Sequence, residues 1–289
     1  MATQDYQKAF QRYSAAAQNG DATAQFKLGV MYEKGLGVKR DYTEALKWYL
    51  LAAEQGDPAG QVNLGVMYRK GHGVRKDYAE ALRWYRLAAD QNDPMGQFNL
   101  GNMFEKGRGV EQNFTEALNW YQKAAKQNFA PAQVNIGLLY KNGIGVDQDH
   151  AMATKWFRAA AEQGHPAGQF NLGVMYKKGL GVEQNDSQAA KWYRNAAEQG
   201  YAPAQVNLGV MYENGTAGIL DIEKAVKWYT AAAEQGHAAA LYSLAALHEQ
   251  GVGLPEDREA AIRLYREAAA KGLTLAENAL ERLNADKEN

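Results

Sequence analysis

The chain has 289 residues, 32 Lys and Arg against 33 Asp and Glu, and no cysteine. This balance supplies no concentrated basic surface for nucleic acid or an anionic membrane, and the missing thiols exclude disulfides, thiolate zinc sites, Fe–S clusters and a cysteine nucleophile. The apolar residues lie in runs far shorter than the ~20 needed to cross a bilayer, and Met1–Tyr6 carries no basic-then-apolar leader, so a soluble chain is expected: cytoplasmic as it stands, periplasmic or secreted if a leader has been removed.

Residues 1–20 predict a capping helix, with Tyr6, Ala9, Phe10, Tyr13, Ala16 and Ala17 at helical spacing. A strict 36-residue period follows. Trp48, Trp84, Trp120, Trp156, Trp192 and Trp228 are the only tryptophans, and each precedes an aromatic residue. Leu28-Gly29 recurs as Leu64-Gly65, Leu100-Gly101, Ile136-Gly137, Leu172-Gly173 and Leu208-Gly209, and drifts to Leu244-Ala245. The period divides the chain into seven units, 21–56, 57–92, 93–128, 129–164, 165–200, 201–236 and 237–272. Each reads as two helices, A and B. In the second unit Pro58 suits the first turn of helix A, and Gly71 suits its left-handed C-terminal cap. Asp77 is a natural N-cap for helix B, whose apolar stripe is Ala81, Leu82, Tyr85, Ala88 and Ala89. Gly65, Ala81 and Ala88 leave room for a neighbouring backbone. Residues 215–221 break the turn pattern and predict a different path there. Residues 273–289 predict a C-terminal capping helix over 273–285 and a frayed tail, Asp286–Asn289.

One such pair cannot bury both its faces, but stacked pairs can. The expected fold is therefore all-α, a right-handed α/α superhelical solenoid of seven helix-turn-helix repeats with half-repeat caps at both ends.

Leu64-Gly65-x-x-Tyr68 and Ala81-x-x-x-Tyr85-x-x-Ala88 resemble the two helices of the tetratricopeptide repeat. The period is 36 rather than 34, and the added length lies in the turn Lys70–Asp77. With Gly-x-Gly-Val starting at Gly35, Gly71, Gly107, Gly143 and Gly179, the chain is similar to the Sel1-like repeat family along nearly its whole length. The resemblance implies a bacterial-type adaptor or scaffold that binds a protein or peptide on the concave surface lined by the A helices. It implies no cofactor, metal, nucleic acid or membrane insertion, and a monomer. One branch of the family is cysteine-rich and reported to bind or hydrolyse β-lactams, and this chain departs from it. Gln61–Tyr68 recurs identically at 205–212, as recent duplication or a consensus-like, engineered array would produce.

Carrying the peptide-binding positions over through the Leu-Gly pair marks five columns along helix A. One is the ladder Asn63, Asn99, Asn135, Asn171 and Asn207, whose amides suit a partner's backbone or, alternatively, bonds between repeats. Phe98, Val134 and Phe170 represent an alternating Phe/Val column that suits either a patterned partner or packing between repeats. Arg69, Lys141 and Lys177 stand in a column shared with Glu33, Glu105 and Glu213, and Lys70 and Lys106 in the next. Gln61, Gln97, Gln133, Gln169 and Gln205 and the tryptophans are expected to be structural.

Little points to catalysis. The histidines, His72, His150, His165, His237 and His248, show no i, i+4 pair, and Ser14, Ser187 and Ser243 begin no Ser-x-x-Lys. The Gly-x-Gly turns follow helices rather than strands and recur in most repeats, so they are turns and not dinucleotide loops. His72 is expected to be an exposed turn residue.

Overall fold

The computed structural model describes residues 2–218 and 220–288. The chain forms two compact units, Met1–Gln148 and Asp149–Asn289. The first contains α1 (Ala2–Gln18), α2 (Ala22–Lys34), α3 (Tyr42–Glu54), α4 (Pro58–Lys70), α5 (Tyr78–Asp90), α6 (Pro94–Lys106), α7 (Phe114–Lys126) and α8 (Ala130–Asn142). The second contains α9 (His150–Glu162), α10 (Pro166–Lys178), α11 (Asp186–Glu198), α12 (Ala202–Glu213), α13 (Ile222–Glu234), α14 (Ala238–Gln250), α15 (Arg258–Ala270) and α16 (Thr274–Glu288). The described residues contain no strand. Within each unit every helix packs on its neighbours in the chain, the nearest-neighbour cohesion of a solenoid. Even-numbered helices are the A helices and odd-numbered ones the B helices.

The ends of each helix follow from single residues. Asp57 precedes α4 with extended backbone, and its carboxylate accepts the Gly60 N–H at 2.6 Å. Gly71 ends the helix in the left-handed conformation, φ 75°, and returns its N–H to Met67 O. Asp77 then caps α5 by accepting from Ala79 N and Glu80 N. These contacts satisfy backbone groups that a helix leaves open at its ends.

The core is a row of small residues facing a row of tyrosines. Ala45, Ala81, Ala117, Tyr49, Tyr85 and Tyr121 are all completely buried. A Cβ placed on Gly101 would lie 2.6 Å from Tyr121 Cε1, so only glycine lets α6 approach α7 this closely. The buried glutamines tie successive pairs together. Gln61 Nε2 donates to Ala53 O at 3.2 Å, and its Oε1 accepts from Gln91 Nε2 at 2.8 Å. Gln25, Gln169 and Gln205 make the same two contacts with their own neighbours.

Three local expectations meet different outcomes. The aberrant turn does take another path: α12 ends at a non-helical Asn214 with φ −89°, and a 3-10 turn spans Thr216–Gly218. Ile219 lies outside the described residues. The C-terminal capping helix is α16, Thr274–Glu288, and so extends past the expected end at 285. His72 is not a freely exposed turn residue. It is half-buried and stacks on Tyr42 of the preceding repeat, with ring centroids 4.5 Å apart. The glycine turns, at Gly37, Gly73, Gly109, Gly145, Gly181 and Gly253, lie against the preceding B helix near its start, a contact invisible within one repeat.

Candidate interaction surface

The A-helix columns are held at different depths. In the ladder, Asn63 and Asn99 are half-buried, and Asn99 Nδ2 donates to Met95 O at 2.9 Å within its own helix. Asn135 reaches the preceding A helix by donating to Asn102 Oδ1 at 3.4 Å. Asn171 is only 7% exposed and donates to Ala167 O at 2.8 Å. Asn207 lies beside the Tyr193 hydroxyl, as Ser243 does beside that of Tyr229. Asn99, Asn135 and Asn171 therefore each spend an amide hydrogen bond inside the protein, and Asn171 presents almost no surface.

The Phe/Val column takes part in packing between helices. Val62 and Val134 are buried. Phe98 sits between Tyr121 and Phe129 at 5.7 and 5.5 Å, and Phe170 between Tyr193 and Tyr201 at 5.8 and 5.5 Å. The phenylalanines stay half-buried and keep an open edge. The tryptophans pack: Trp84 is buried in a core cluster with Tyr49, Leu64 and Met67, and Lys123 lies over the Trp120 ring at 3.7 Å.

The charged column beside the ladder answers the buried tyrosines. Glu33, Glu105, Glu213 and Glu249 accept from the hydroxyls of Tyr49, Tyr121, Tyr229 and Tyr265 at 2.7, 2.6, 2.5 and 2.8 Å. Arg69 reverses the polarity and donates from Nε to Tyr85 Oη at 3.2 Å. Lys177 pairs with Asp186 at 3.0 Å, and Lys141 is half-buried. In the outermost column Lys70 and Lys106 are exposed, and Lys106 lies 3.2 Å from Glu105.

Burial, reinforced by the glutamate beside each, pushes the phenols of Tyr49, Tyr121, Tyr229 and Tyr265 up. Burial pushes Tyr193 up to about 12. His165 and His237 are lowered by burial. His165 caps α10, its Nδ1 accepting from Gly168 N at 3.4 Å. A pH profile of stability follows. Unfolded phenols ionise near 10, before the folded ones, so stability is fully present below about pH 10 and falls as pH rises beyond it. Unfolded histidines take a proton near 6.5, before the buried ones, so stability also declines below about that pH. Urea midpoints from pH 5 to 11 should trace a plateau between about pH 7 and 9. A midpoint that rises above pH 10 would contradict this.

Two concavities open on the A helices of the first unit. The larger, about 820 Å³, lies over α2 and α4 and is lined by Tyr13, Phe26, Val30, Val62, Asn63 and Met95, among others. Met95 and Tyr6 at its rim are 47% and 44% exposed. The smaller, about 270 Å³, gathers Arg69, Phe98, Asn99 and Lys106 with Asn102 and Arg108. Tyr6, Tyr13, Met95 and Arg108 stand outside the five columns and were not anticipated from the sequence. The only signal for Arg108 is its contrast with Leu36, Ile144 and Leu180 at the same repeat position. No group of three or more metal-ligating side chains occurs among the described residues. No described helix is long and apolar enough to cross a membrane.

The family model for the Sel1 repeat matches eight times, at residues 1–21, 22–57, 58–93, 94–129, 130–165, 166–201, 202–237 and 238–273. Among solved structures, the chain is similar to a protective antigen with an SLR fold, present in uropathogenic Escherichia coli strains. The identity is 39% and the TM-score 0.74, over 94% of this chain and 58% of that one. This chain therefore spans less than two thirds of that antigen's length. It is also similar to a Sel1 repeat protein from Oxalobacter formigenes, at 34% identity and a TM-score of 0.75, over 95% of this chain and 79% of that one. The comparison with curated proteins gives no match.

Proposed function

The chain belongs to the Sel1-repeat family, whose members are generally protein-interaction scaffolds, and from that premise we propose that it is a non-enzymatic adaptor gripping an extended polypeptide along the A helices of its first unit. The observation that carries this reading is the 820 Å³ concavity over α2 and α4. Concave, mostly apolar sites with a few placed polar groups are where ligands bind. Here Phe26, Val30 and Met95 offer apolar contact, and the Asn63 amide stands beside them for a peptide backbone. The exposed Met95 suits an adaptable anchor pocket, since an unbranched thioether moulds to varied side chains. The strongly displaced ionisable groups are buried tyrosines engaged in packing, which supports a binding rather than a catalytic role.

The test is selection of a random twelve-residue peptide library, displayed on phage, against the full chain. Selected peptides should bind in solution at about 1–100 μM, and Met95→Glu should weaken them at least about tenfold by placing a charge at the apolar rim. Binding that ignores Met95→Glu, or a library with no binder below about 1 mM, would overturn the reading.

A further inference from the structure

We infer that the 270 Å³ concavity between α4 and α6 is a carboxylate subsite, which holds an Asp or Glu side chain of the extended partner. The inference rests on the groove reading above and adds the chemistry of one position along it. Its first support is charge. Arg69, Lys106 and Arg108 line the concavity with Phe98, Asn99 and Asn102, and no acidic side chain lines it. Among the described residues neither Arg69 nor Arg108 has a carboxylate partner. Each is positioned instead by a tyrosine. Arg69 Nε is anchored on Tyr85 Oη at 3.2 Å, and Arg108 lies over the Tyr78 ring at 5.7 Å. Tyr85 is completely buried and its phenol is pushed up by that burial, so it orients the guanidinium without neutralising it. With Nε engaged, the two terminal nitrogens remain as a fork that matches the two oxygens of a carboxylate. Lys106 is shared with Glu105, whose carboxylate also accepts the Tyr121 hydroxyl.

The second support is independent of charge. An array of near-identical repeats carries its own reference, and three departures from it converge here. Asn102 stands where the other repeats have Val30, Val66, Leu138, Val174, Val210 and Ala246. Arg108 stands where they have Leu36, His72, Ile144, Leu180 and Val252 in the glycine turn. Arg69 is the one arginine of its column. Packing does not call for these residues, since apolar ones occupy the Asn102 position throughout the other repeats and the Arg108 position in most of them. Asn102 spends its Oδ1 on Tyr121 Oη at 2.9 Å and on Asn135. Those bonds leave its N–H groups as donors beside the two arginines. A site of donors with one aromatic wall suits a carboxylate carried on a short aliphatic stem.

The experiment uses the full chain and peptides selected as above, resynthesised with a fluorescein label. Each acid of a selected peptide is replaced in turn by its amide. We expect one acid whose replacement by Asn or Gln weakens binding at least about tenfold, as loss of a charge-assisted fork implies. Arg108→Leu restores an apolar residue that other repeats already carry, so its melting temperature should hold, whereas Asn102→Val also gives up the bonds to Tyr121 and Asn135 and should lower it modestly, with binding compared where the variant is folded. In either variant the acid and amide peptides should bind within about threefold of each other. Arg69→Gln should give the same levelling. Peptides that depend on Met95 but show no acid preference, or keep it in Arg108→Leu and Arg69→Gln, would overturn the carboxylate subsite and leave the groove reading standing. Binding indifferent to Met95→Glu yet sensitive to Arg108→Leu would overturn the groove reading alone. A library without binders would overturn both.

Discussion

Gly101→Val should lower stability by about 3 kcal/mol or more, the upper range for forcing bulk into a packed core. A Cβ at this position would lie 2.6 Å from Tyr121 Cε1, 2.7 Å from Cδ1 and 3.2 Å from Ala117 O. The ring cannot swing aside. It is completely buried, and its hydroxyl is tied to Glu105 at 2.6 Å and to Asn102 at 2.9 Å. Relief therefore requires α6 and α7 to separate, and cohesion between neighbouring helices is what stabilises a repeat array. Lys70→Ala, at an exposed position of a neighbouring A helix, should change stability by less than about 0.5 kcal/mol. Urea denaturation of both variants measures the contrast. Equal midpoints would mean that the α6–α7 contact is looser than described.

Gln61→Glu should cost about 2–3 kcal/mol at pH 7, although the two side chains have nearly the same shape. Gln61 is 4% exposed. Its amide donates to Ala53 O at 3.2 Å and accepts from Gln91 at 2.8 Å, so it joins the end of one repeat to the end of the next. A carboxylate could still accept from Gln91 but would turn an oxygen toward the Ala53 carbonyl. Burial beside that carbonyl would raise its pKa above the unfolded value of about 4.3. The sign of the pH dependence follows. Below the unfolded pKa both states are protonated, and the acid proton can replace the lost donor. As pH rises, the unfolded state loses its proton first, and the penalty grows until the folded pKa is passed. The variant should therefore approach the parent protein near pH 5 and fall furthest behind it at pH 7–8. A deficit that does not change with pH, or no deficit, would show that the Gln61 donor is dispensable.

The helices, their ends and the repeat register were legible in the sequence because each is set locally. The position of α4 follows from Asp57, Pro58 and Gly71 within sixteen residues, and its buried face from Gln61, Leu64, Gly65 and Met67. The close approach at Gly101 was legible too, since a glycine recurring beside a leucine or isoleucine in every A helix up to the sixth repeat implies a backbone contact. So was the role of the glutamines, because polar groups at buried helical positions must find partners.

What each column contacts is decided only by the tertiary structure. In the sequence, Glu33, Arg69 and Lys177 are alternating charges in one column. In the fold, two of them reach the hydroxyl of the B-helix tyrosine sixteen residues on, while Lys177 turns to Asp186. The asparagine ladder divides in the same way: Asn63 lines an open concavity, and Asn171 is buried against its own helix. Tyr13, Met95, Asn102 and Arg108 line concavities only because neighbouring A helices bring residues of different repeats together. The physical reason is the range of the forces involved. Capping, helical periodicity and glycine geometry act within one or two turns of chain, so a single repeat suffices to read them. Exposure, pairing and pocket lining depend on which side chains from neighbouring repeats share a contact, and that is decided by the packing angle and register between helices.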